Sequence, residues 1–412
     1  MLPRFEPVIE LSDIQEAQKV LAGQIVHTPF THSRTLSEIL GSEIWLKFEN
    51  LQFTASFKER GAFNRMRSLT PEQRTRGVIT MSAGNHAQGV AYHAQRMKIP
   101  AVIVMPKFTP TVKVENTKRL GAEVVLYGET FDDARARAYE LIESRGLTLI
   151  HPYDDDAIIA RQGTVGLEMM TDHPDLDMLV VPIGGGGLIA GIATAAKALR
   201  PGIQVIGVQT EAFPHMAAAL KGQKVQGATR TIAEGIAVKT PGVKTLEIIK
   251  EKVDDIVLVS EHDIEHAIVL LLEIEKSVVE GAGAAGLAAL LHAQAADDIR
   301  FEGKRIGIVL CGGNIDPLML GGLIERGMVR AGRLARIRVG IRDLPGSLSQ
   351  VTQLVADAGA NITQVHHQRA FTSLPAQDVE VDFVLQTRGH DHVEEIIQVL
   401  KRAGFNSRRG EH

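Results

Sequence analysis

The segment Ser56-Phe57-Lys58-Glu59-Arg60-Gly61-Ala62 puts a lysine where a turn opens into a helix-like run. A partly desolvated lysine loses its charge readily, and its free amine adds to carbonyl carbon. Further along comes Ser82-Ala83-Gly84-Asn85-His86, a hydroxyl-and-amide loop at the head of a predicted helix. Such a helix N-terminus suits a carboxylate. Gly184-Gly185-Gly186-Gly187 then joins a predicted strand to a predicted helix. Without side chains, its backbone N–H groups can come within hydrogen-bond distance of a phosphate. Each feature has a plainer reading: a solvated lysine, a helix cap, a tight strand-to-helix turn. Together they describe an enzyme that holds a phosphorylated carbonyl compound on a lysine.

The elements that must position these groups alternate between strand and helix. Predicted strands cover Val78–Met81, Ala101–Met105, Ala122–Tyr127 and Thr148–His151, with helices at His86–Met97 and Phe131–Arg145. Thr109 is placed to cap a further helix with Pro110 at its first position. A second such region has strands at Met178–Ile183, Gln204–Gln209, Val257–Ser260 and Arg305–Leu310. Its helices are Leu188–Leu199 and His262–Glu275. Strands apolar throughout and joined by helices imply parallel sheet buried on both faces. The expected fold class is α/β: a two-lobed open-sheet body with a cleft between its lobes.

Near residues 326–335 glycines and arginines suggest a linker. Beyond it the order becomes strand-helix-strand-strand-helix-strand, a small α+β ferredoxin-like unit over residues 336–409. Ile337, Val339 and Ile341 alternate as a strand, as do Val379, Val381, Phe383 and Leu385. Ser347 with Gln350, and Asp391 with Glu394, have spacings close to a capping box.

At 412 residues the chain exceeds what one core usually supports. A formal charge of -4 gives no reason to expect nucleic acid or an anionic membrane as partner. The lone Cys311 forbids an intrachain disulfide and fits a reducing cytoplasm. Met1 to Asp13 carries charges among short apolar steps and lacks the apolar core of a signal peptide. No stretch approaches a charge-free membrane span.

The lysine motif, the Ser-Ala-Gly-Asn-His loop, Gln162-Gly163-Thr164, the tetraglycine and Cys311-Gly312-Gly313-Asn314 resemble threonine/serine ammonia-lyases, over roughly residues 5 to 325. Asp343-Leu344-Pro345-Gly346-Ser347-Leu348 resembles the first loop of an ACT domain, an amino-acid-binding regulatory module. The resemblance implies a fold type II catalytic domain, residues 1–325, with a small lobe near 51–157. A linker at 326–335 and an ACT domain at 336–409 would follow. It implies pyridoxal 5'-phosphate on Lys58, the catalytic lysine, with Phe57, Asn85, Gly184, Gly185, Gly186, Gly187 and Cys311 around the cofactor. Ser82, Ala83, Gly84, Asn85 and His86 would bind the substrate, an amino acid such as threonine or serine. An amino-acid effector would sit near Asp343, Leu344, Pro345, Gly346, Asn361 and Ile362. ACT modules of this kind pair, so a homo-oligomer, dimer or tetramer, is expected.

By the same resemblance Cys311 faces the cofactor's ring nitrogen, where a neutral thiol gives a weaker electron sink suited to β-elimination. Glu280 borders the ring or assists proton transfer; both roles stay open. Serine racemases of the family carry a second serine where Ala83 stands, and Ala83 has no proton to give. Metal-binding relatives use an acidic residue where Gln209 stands, although Glu211 is near, so no required divalent metal is expected. His366-His367 and His390 with His392 lack zinc-site spacing. A cysteine-synthase-like β-replacement enzyme and a non-catalytic amino-acid sensor are the competing readings. The intact Lys58 speaks against the sensor.

Overall fold

The computed structural model describes residues 9–226, 228, 230–368 and 377–410. The first eight residues of the charged N-terminal segment lie outside them. By internal contacts the chain divides into one compact unit ending at Ile315 and another beginning at Asp316.

In the first unit β1 (Phe30–His32) pairs antiparallel with β2 (Glu43–Lys47). The chain then builds a separate sheet from β3 (Val78–Met81), β4 (Ala101–Met105), β5 (Glu123–Leu126) and β6 (Thr148–Leu149). Its order is β5-β4-β3-β6 and all its pairings are parallel. The next strands, β7 (Met178–Pro182), β8 (Gln204–Thr210), β9 (Asp255–Val259) and β10 (Arg305–Val309), join the first two. This larger sheet runs β1-β2-β10-β7-β8-β9, parallel except at β1.

Both faces of the smaller sheet are covered. Ile103 and Met105 face one apolar cluster with Ala62, Met66 and Val90, while Ile79 and Val104 face another with Ala138 and Leu141. In the larger sheet Leu179, Val180 and Val181 of β7 are fully buried. Full burial of a side chain such as these contributes about 1.5–3 kcal/mol. Helix Asp156–Asp172 lies against helix Gly187–Leu199 at a glycine crossing: a methyl on Gly191 would come 2.5 Å from the Gly163 nitrogen. That crossing sets the helix whose first residue closes the tetraglycine.

In the second unit β11 (Leu334–Arg342), β12 (Asn361–Gln368), β13 (Asp378–Gln386) and β14 (Asn406–Arg409) form an antiparallel sheet in the order β12-β13-β11-β14. Helices Ser347–Asp357 and His390–Arg402 complete the expected strand-helix-strand-strand-helix-strand order. Val339, Val381, Phe383, Val351 and Ile396 make its core.

Three local expectations need correction. Residues 326–330 are not linker but the end of helix Pro317–Arg330, capped by Asp316, whose Oδ1 accepts from the N–H groups of Leu318 and Met319. Arginine is a good helix former, and Gly327 is carried inside the helix at a modest cost. The helix near Thr109 starts at Thr111 with Pro110 as its cap residue, without a side-chain cap. The capping boxes expected at Ser347 and Asp391 are absent, because Gly346 and Gly389 take the cap positions at φ +93° and +137°.

Candidate active site

The lysine turn is stitched to the Cys-Gly-Gly-Asn turn by backbone. Ser56 bridges Gly312 antiparallel, the Phe57 N–H donates to the Cys311 carbonyl at 3.2 Å, and the Gly313 N–H donates to Ala55 at 2.9 Å. Ala55 itself is left-handed at φ +54°. Lys58 then opens helix Lys58–Arg67. Its Nζ lies over the Phe57 ring, 5.0 Å from the centroid, and donates to the Pro152 carbonyl at 2.8 Å. Burial pushes the Lys58 amine down to about 8, against the opposing pull of Cys311 and Glu280. An amine in that range becomes a free nucleophile and base near neutral pH.

The tetraglycine runs from the end of β7 into helix Gly187–Leu199. The Gly185 carbonyl points into the protein, where it accepts from Thr245 Oγ1 at 2.7 Å and the Gly242 N–H at 3.3 Å. Among the described residues nothing accepts from the N–H groups of Gly184 to Gly187. A methyl on Gly185 would lie 2.3 Å from Tyr153 ring carbons, and one on Gly187 would lie 2.7 Å from Gln162 Oε1. Gly186 adopts φ +96°, which strains any other residue. Gln162 Oε1 is itself buried without a hydrogen-bond partner. Unpaired N–H groups at a helix N-terminus, in a cradle that side chains would fill, fit a phosphate. With the Lys58 amine, the chain's residues fit a phosphorylated aldehyde.

Asn85 begins helix Asn85–Met97, whose cap residue is Gly84. Its Nδ2 donates to Glu280 Oε1 at 2.6 Å, and its Oδ1 accepts from Asn314 Nδ2 at 2.7 Å. Ser82 does not cap the helix; its Oγ accepts from the Gly84 N–H at 3.2 Å and shapes the loop. Ala83 is half-buried against the smaller lobe's core. His86 is buried, with Nε2 against the Ile150 carbonyl at 2.9 Å, and burial beside Lys58 pushes it down to about 3. It is therefore a neutral, internally satisfied side chain. Cys311 is buried, and burial near Glu280 raises its thiol well above the ordinary range, so it stays protonated. Burial likewise raises Glu280 to about 7.

Two features of the site had no forerunner in the sequence. Tyr153, whose hydroxyl donates to the Thr240 carbonyl at 2.9 Å, walls the cradle at Gly185. Beneath Lys58, Arg60 is wholly buried between Glu49 and Glu168, and Lys47 Nζ reaches Glu168 Oε2 at 2.6 Å. Each of these four charges alone reads as a solvated side chain.

Gln209 is buried, with its amide bonded to the Ile183 carbonyl and the Ala217 N–H. Among the described residues no group of three His, Cys, Asp or Glu side chains is placed to hold a metal. Of the effector positions, Gly346 caps helix Ser347–Asp357 and Leu344 is exposed. Asn361 Nδ2 donates to Gln386 at 3.2 Å, and Ile362 packs on the unit's core. The Asp343 N–H donates to the Gln377 carbonyl at 2.9 Å, and Pro345 lies in the same turn.

Comparison with known families agrees with this chemistry. The family described as pyridoxal-phosphate dependent enzyme matches residues 21–312, and the ACT domain matches residues 335–405. This chain belongs to the pyridoxal-phosphate dependent enzymes. Its body has fold type II and its C-terminal unit is an ACT domain. A relative from Thermotoga maritima named L-threonine ammonia-lyase is 46% identical, with 97% of this chain and 99% of that one aligned. One from Escherichia coli K12, named L-threonine dehydratase catabolic TdcB, is 47% identical over 76% of this chain and 95% of its own. Among solved structures, maize serine racemase superposes with a TM-score of 0.72 at 34% identity, covering 78% of this chain and 99% of that one. Among the described residues no helix is long and apolar enough to cross a membrane.

Proposed function

We propose that this enzyme is a threonine ammonia-lyase, converting L-threonine to 2-oxobutanoate and ammonia, with serine to pyruvate as a side activity. The observation that carries the reading is Lys58, a desolvated amine whose turn is stitched to a neutral buried thiol. Relatives aligned over nearly the whole chain bear that name.

Pyridoxal phosphate, when bound, supplies the sink for the electrons left at the substrate's α-carbon. Lys58 is the residue that anchors it and, once free, the base that takes the α-proton. The N–H groups of Gly184 to Gly187 would hold its phosphate, and the Asn85 amide would bind its ring hydroxyl. Cys311, a buried thiol that stays protonated, would offer no anion to the cofactor's ring, an environment that suits loss of the β-hydroxyl more than transamination. Ser82, Gly84 and the backbone at the head of helix Asn85–Met97 receive the substrate carboxylate. His86 supports that loop from below through the Ile150 carbonyl. Loss of water leaves an enamine, which hydrolyses in solution to the keto acid and ammonia.

The ACT unit would take an amino-acid effector at the turn of Asp343 to Gly346 with Asn361 and Ile362, and pairing of such units would make a homo-oligomer. The buried free Cys311 suits work in the cytoplasm. The test is keto-acid release from a panel of hydroxy amino acids. Threonine should give the highest kcat/KM, and no release from threonine would refute the assignment.

A further inference from the structure

Asp154, Asp155 and Asp156 run from the loop after β6 into helix Asp156–Asp172, and each carboxyl has a different partner. Asp155 caps its own helix, accepting from the Ile158 N–H at 3.1 Å. Asp156 pairs with Lys244 Nζ at 2.6 Å on a half-exposed surface, where such a pair contributes little. Asp154 instead reaches the head of a second helix, Val243–Lys252. Its Oδ2 accepts from the Val243 N–H at 3.0 Å, and its Oδ1 from those of Lys244 at 3.0 Å and Thr245 at 3.3 Å.

An α-helix begins with four N–H groups that have no partner within it. Here they belong to Gly242, the cap residue, and to Val243, Lys244 and Thr245; the Leu246 N–H makes the first bond inside, to the Gly242 carbonyl. Asp154 takes three of the four. The fourth, on Gly242, goes to the Gly185 carbonyl of the tetraglycine at 3.3 Å, which also accepts from the buried Thr245 Oγ1 at 2.7 Å. An acidic group suits the positive end of a helix, so the carboxyl fixes where this helix begins. The seat is close: a methyl on Gly242 would lie 2.5 Å from Asp154 Oδ1 and 2.6 Å from Thr245 Oγ1.

The Gly185 carbonyl and the Gly186 N–H share one peptide plane, and in a trans peptide they point in opposite directions. Holding the carbonyl on Thr245 and Gly242 therefore aims the Gly186 N–H away from both. The loop that supplies Asp154 serves the site twice more. Tyr153 stands against Gly185, and the Pro152 carbonyl accepts from Lys58 Nζ at 2.8 Å. His151 Nδ1 braces the loop from within, accepting from the N–H groups of Tyr153 at 3.3 Å and Asp154 at 2.9 Å.

We infer that Asp154 is a positioning residue for the phosphate cradle: by capping helix Val243–Lys252 it seats Thr245 and Gly242 on the Gly185 carbonyl, and so presents the Gly186 N–H to the cofactor phosphate. The inference rests on the reading of the tetraglycine as the site of that phosphate. Asp154 acts through Thr245, since both of its oxygens are engaged by the helix. Without them three N–H groups lose their acceptor, the helix head can shift, and the Gly185–Gly186 peptide can turn. The lysine turn hangs from its own bonds to Cys311 and Gly313, so capture of an aldehyde on Lys58 is spared.

The experiment uses full-length protein stripped of cofactor. It is titrated with pyridoxal 5'-phosphate and, separately, with pyridoxal, which has the aldehyde without the phosphate. Binding is read from the absorbance of the compound held on Lys58. In Asp154→Ala the affinity for pyridoxal phosphate should fall about tenfold, roughly what one hydrogen bond to a charged group contributes, while that for pyridoxal changes less than about twofold. Thr245→Val, which removes the hydroxyl at nearly constant size, should show the same selective loss, and Thr245→Ser should not. If Asp154→Ala does not fold, the Thr245 pair decides. Equal losses for the two compounds would make the carboxyl a cap for stability alone and overturn the inference. An unaltered protein that does not distinguish pyridoxal phosphate from pyridoxal would refute the phosphate reading of the tetraglycine. One that favours pyridoxal phosphate, with the preference intact in Asp154→Ala and Thr245→Val, would refute this inference alone.

Discussion

Arg60 and Glu168 are joined by two parallel hydrogen bonds, 2.7 and 2.9 Å long, with Arg60 fully buried and Glu168 nearly so. Glu49 grips the other edge of the same guanidinium at 2.7 and 2.8 Å, and Lys47 pairs with Glu168. Two cations and two anions leave the cluster neutral. It fastens the helix that starts at Lys58 to helix Asp156–Asp172, and it sits two residues from the reactive amine. Buried ion pairs add little net stability over apolar packing, but removing one partner strands a charge.

Arg60→Met should therefore destabilise the first unit by about 3–5 kcal/mol, read as a lowered midpoint in urea. The cluster also gives acid sensitivity. Arg60 and Lys47 outweigh burial and hold Glu168 down at about 2. A carboxyl depressed in the folded state stabilises the fold above its unfolded value of about 4.3. That contribution is lost as pH falls toward 2. Glu168→Gln should flatten the dependence of stability on pH over that window.

Lys58→Ala should leave a folded, colourless protein without keto-acid release from threonine. The unaltered protein, loaded with pyridoxal phosphate, should be yellow, and borohydride should fix the cofactor on the peptide containing Lys58. Full turnover in Lys58→Ala, or labelling of another lysine, would contradict the assigned role.

How far the sequence reached depended on whether a residue's partner was local. The bounds of β3 and β4 are legible in the sequence because each is a short, mainly apolar run, set off by Gly77 before β3, Pro100 before β4 and Pro106 after it. Helix Asp156–Asp172 has no counterpart among the elements expected from sequence, and its Gly163 and Gly166 weaken a helical pattern; in the fold they let helix Gly187–Leu199 approach. Glu280 stood out only by its glycine-rich surroundings, and its bond to Asn85 spans 195 positions. Glu168 meets Arg60 across 108 positions. No local pattern encodes such pairs.

Gly185→Ala should weaken cofactor binding more than it weakens the fold. The added methyl meets the Tyr153 ring at 2.3 Å, so either the ring or the glycine loop must shift. Cofactor affinity, measured by tryptophan or cofactor fluorescence, should fall at least about tenfold, because hydrogen bonds to a charged group contribute about 1.5–3 kcal/mol each. Tyr153→Ala in the same chain should recover part of the loss.

Threonine and serine should be deaminated without measurable racemisation, since Ala83 offers no proton to the opposite face of the substrate carbanion. Chiral chromatography of unreacted serine after partial turnover is the measurement. Accumulating D-serine would show that another group serves that face. Ala83→Ser, in a chain whose fold superposes on maize serine racemase, should introduce weak racemisation.

The last expectation concerns residues 335–405. The Escherichia coli relative is aligned over 95% of its own length with only 76% of this chain, so about a quarter of this chain has no counterpart in it. A module added to a working catalyst invites regulation; the effector we propose is isoleucine, a product that 2-oxobutanoate could feed, acting as inhibitor, with valine opposing it. Coupling of this kind is typically about 1–3 kcal/mol, a change of roughly 5- to 150-fold in apparent affinity. Threonine turnover against isoleucine and valine should show it in the full chain. Truncation after Ile315, where the compact unit ends, should keep turnover and abolish the response. A truncated chain that still responds would place the effector in the catalytic unit. A full chain indifferent to every amino acid would reduce the module to an assembly device.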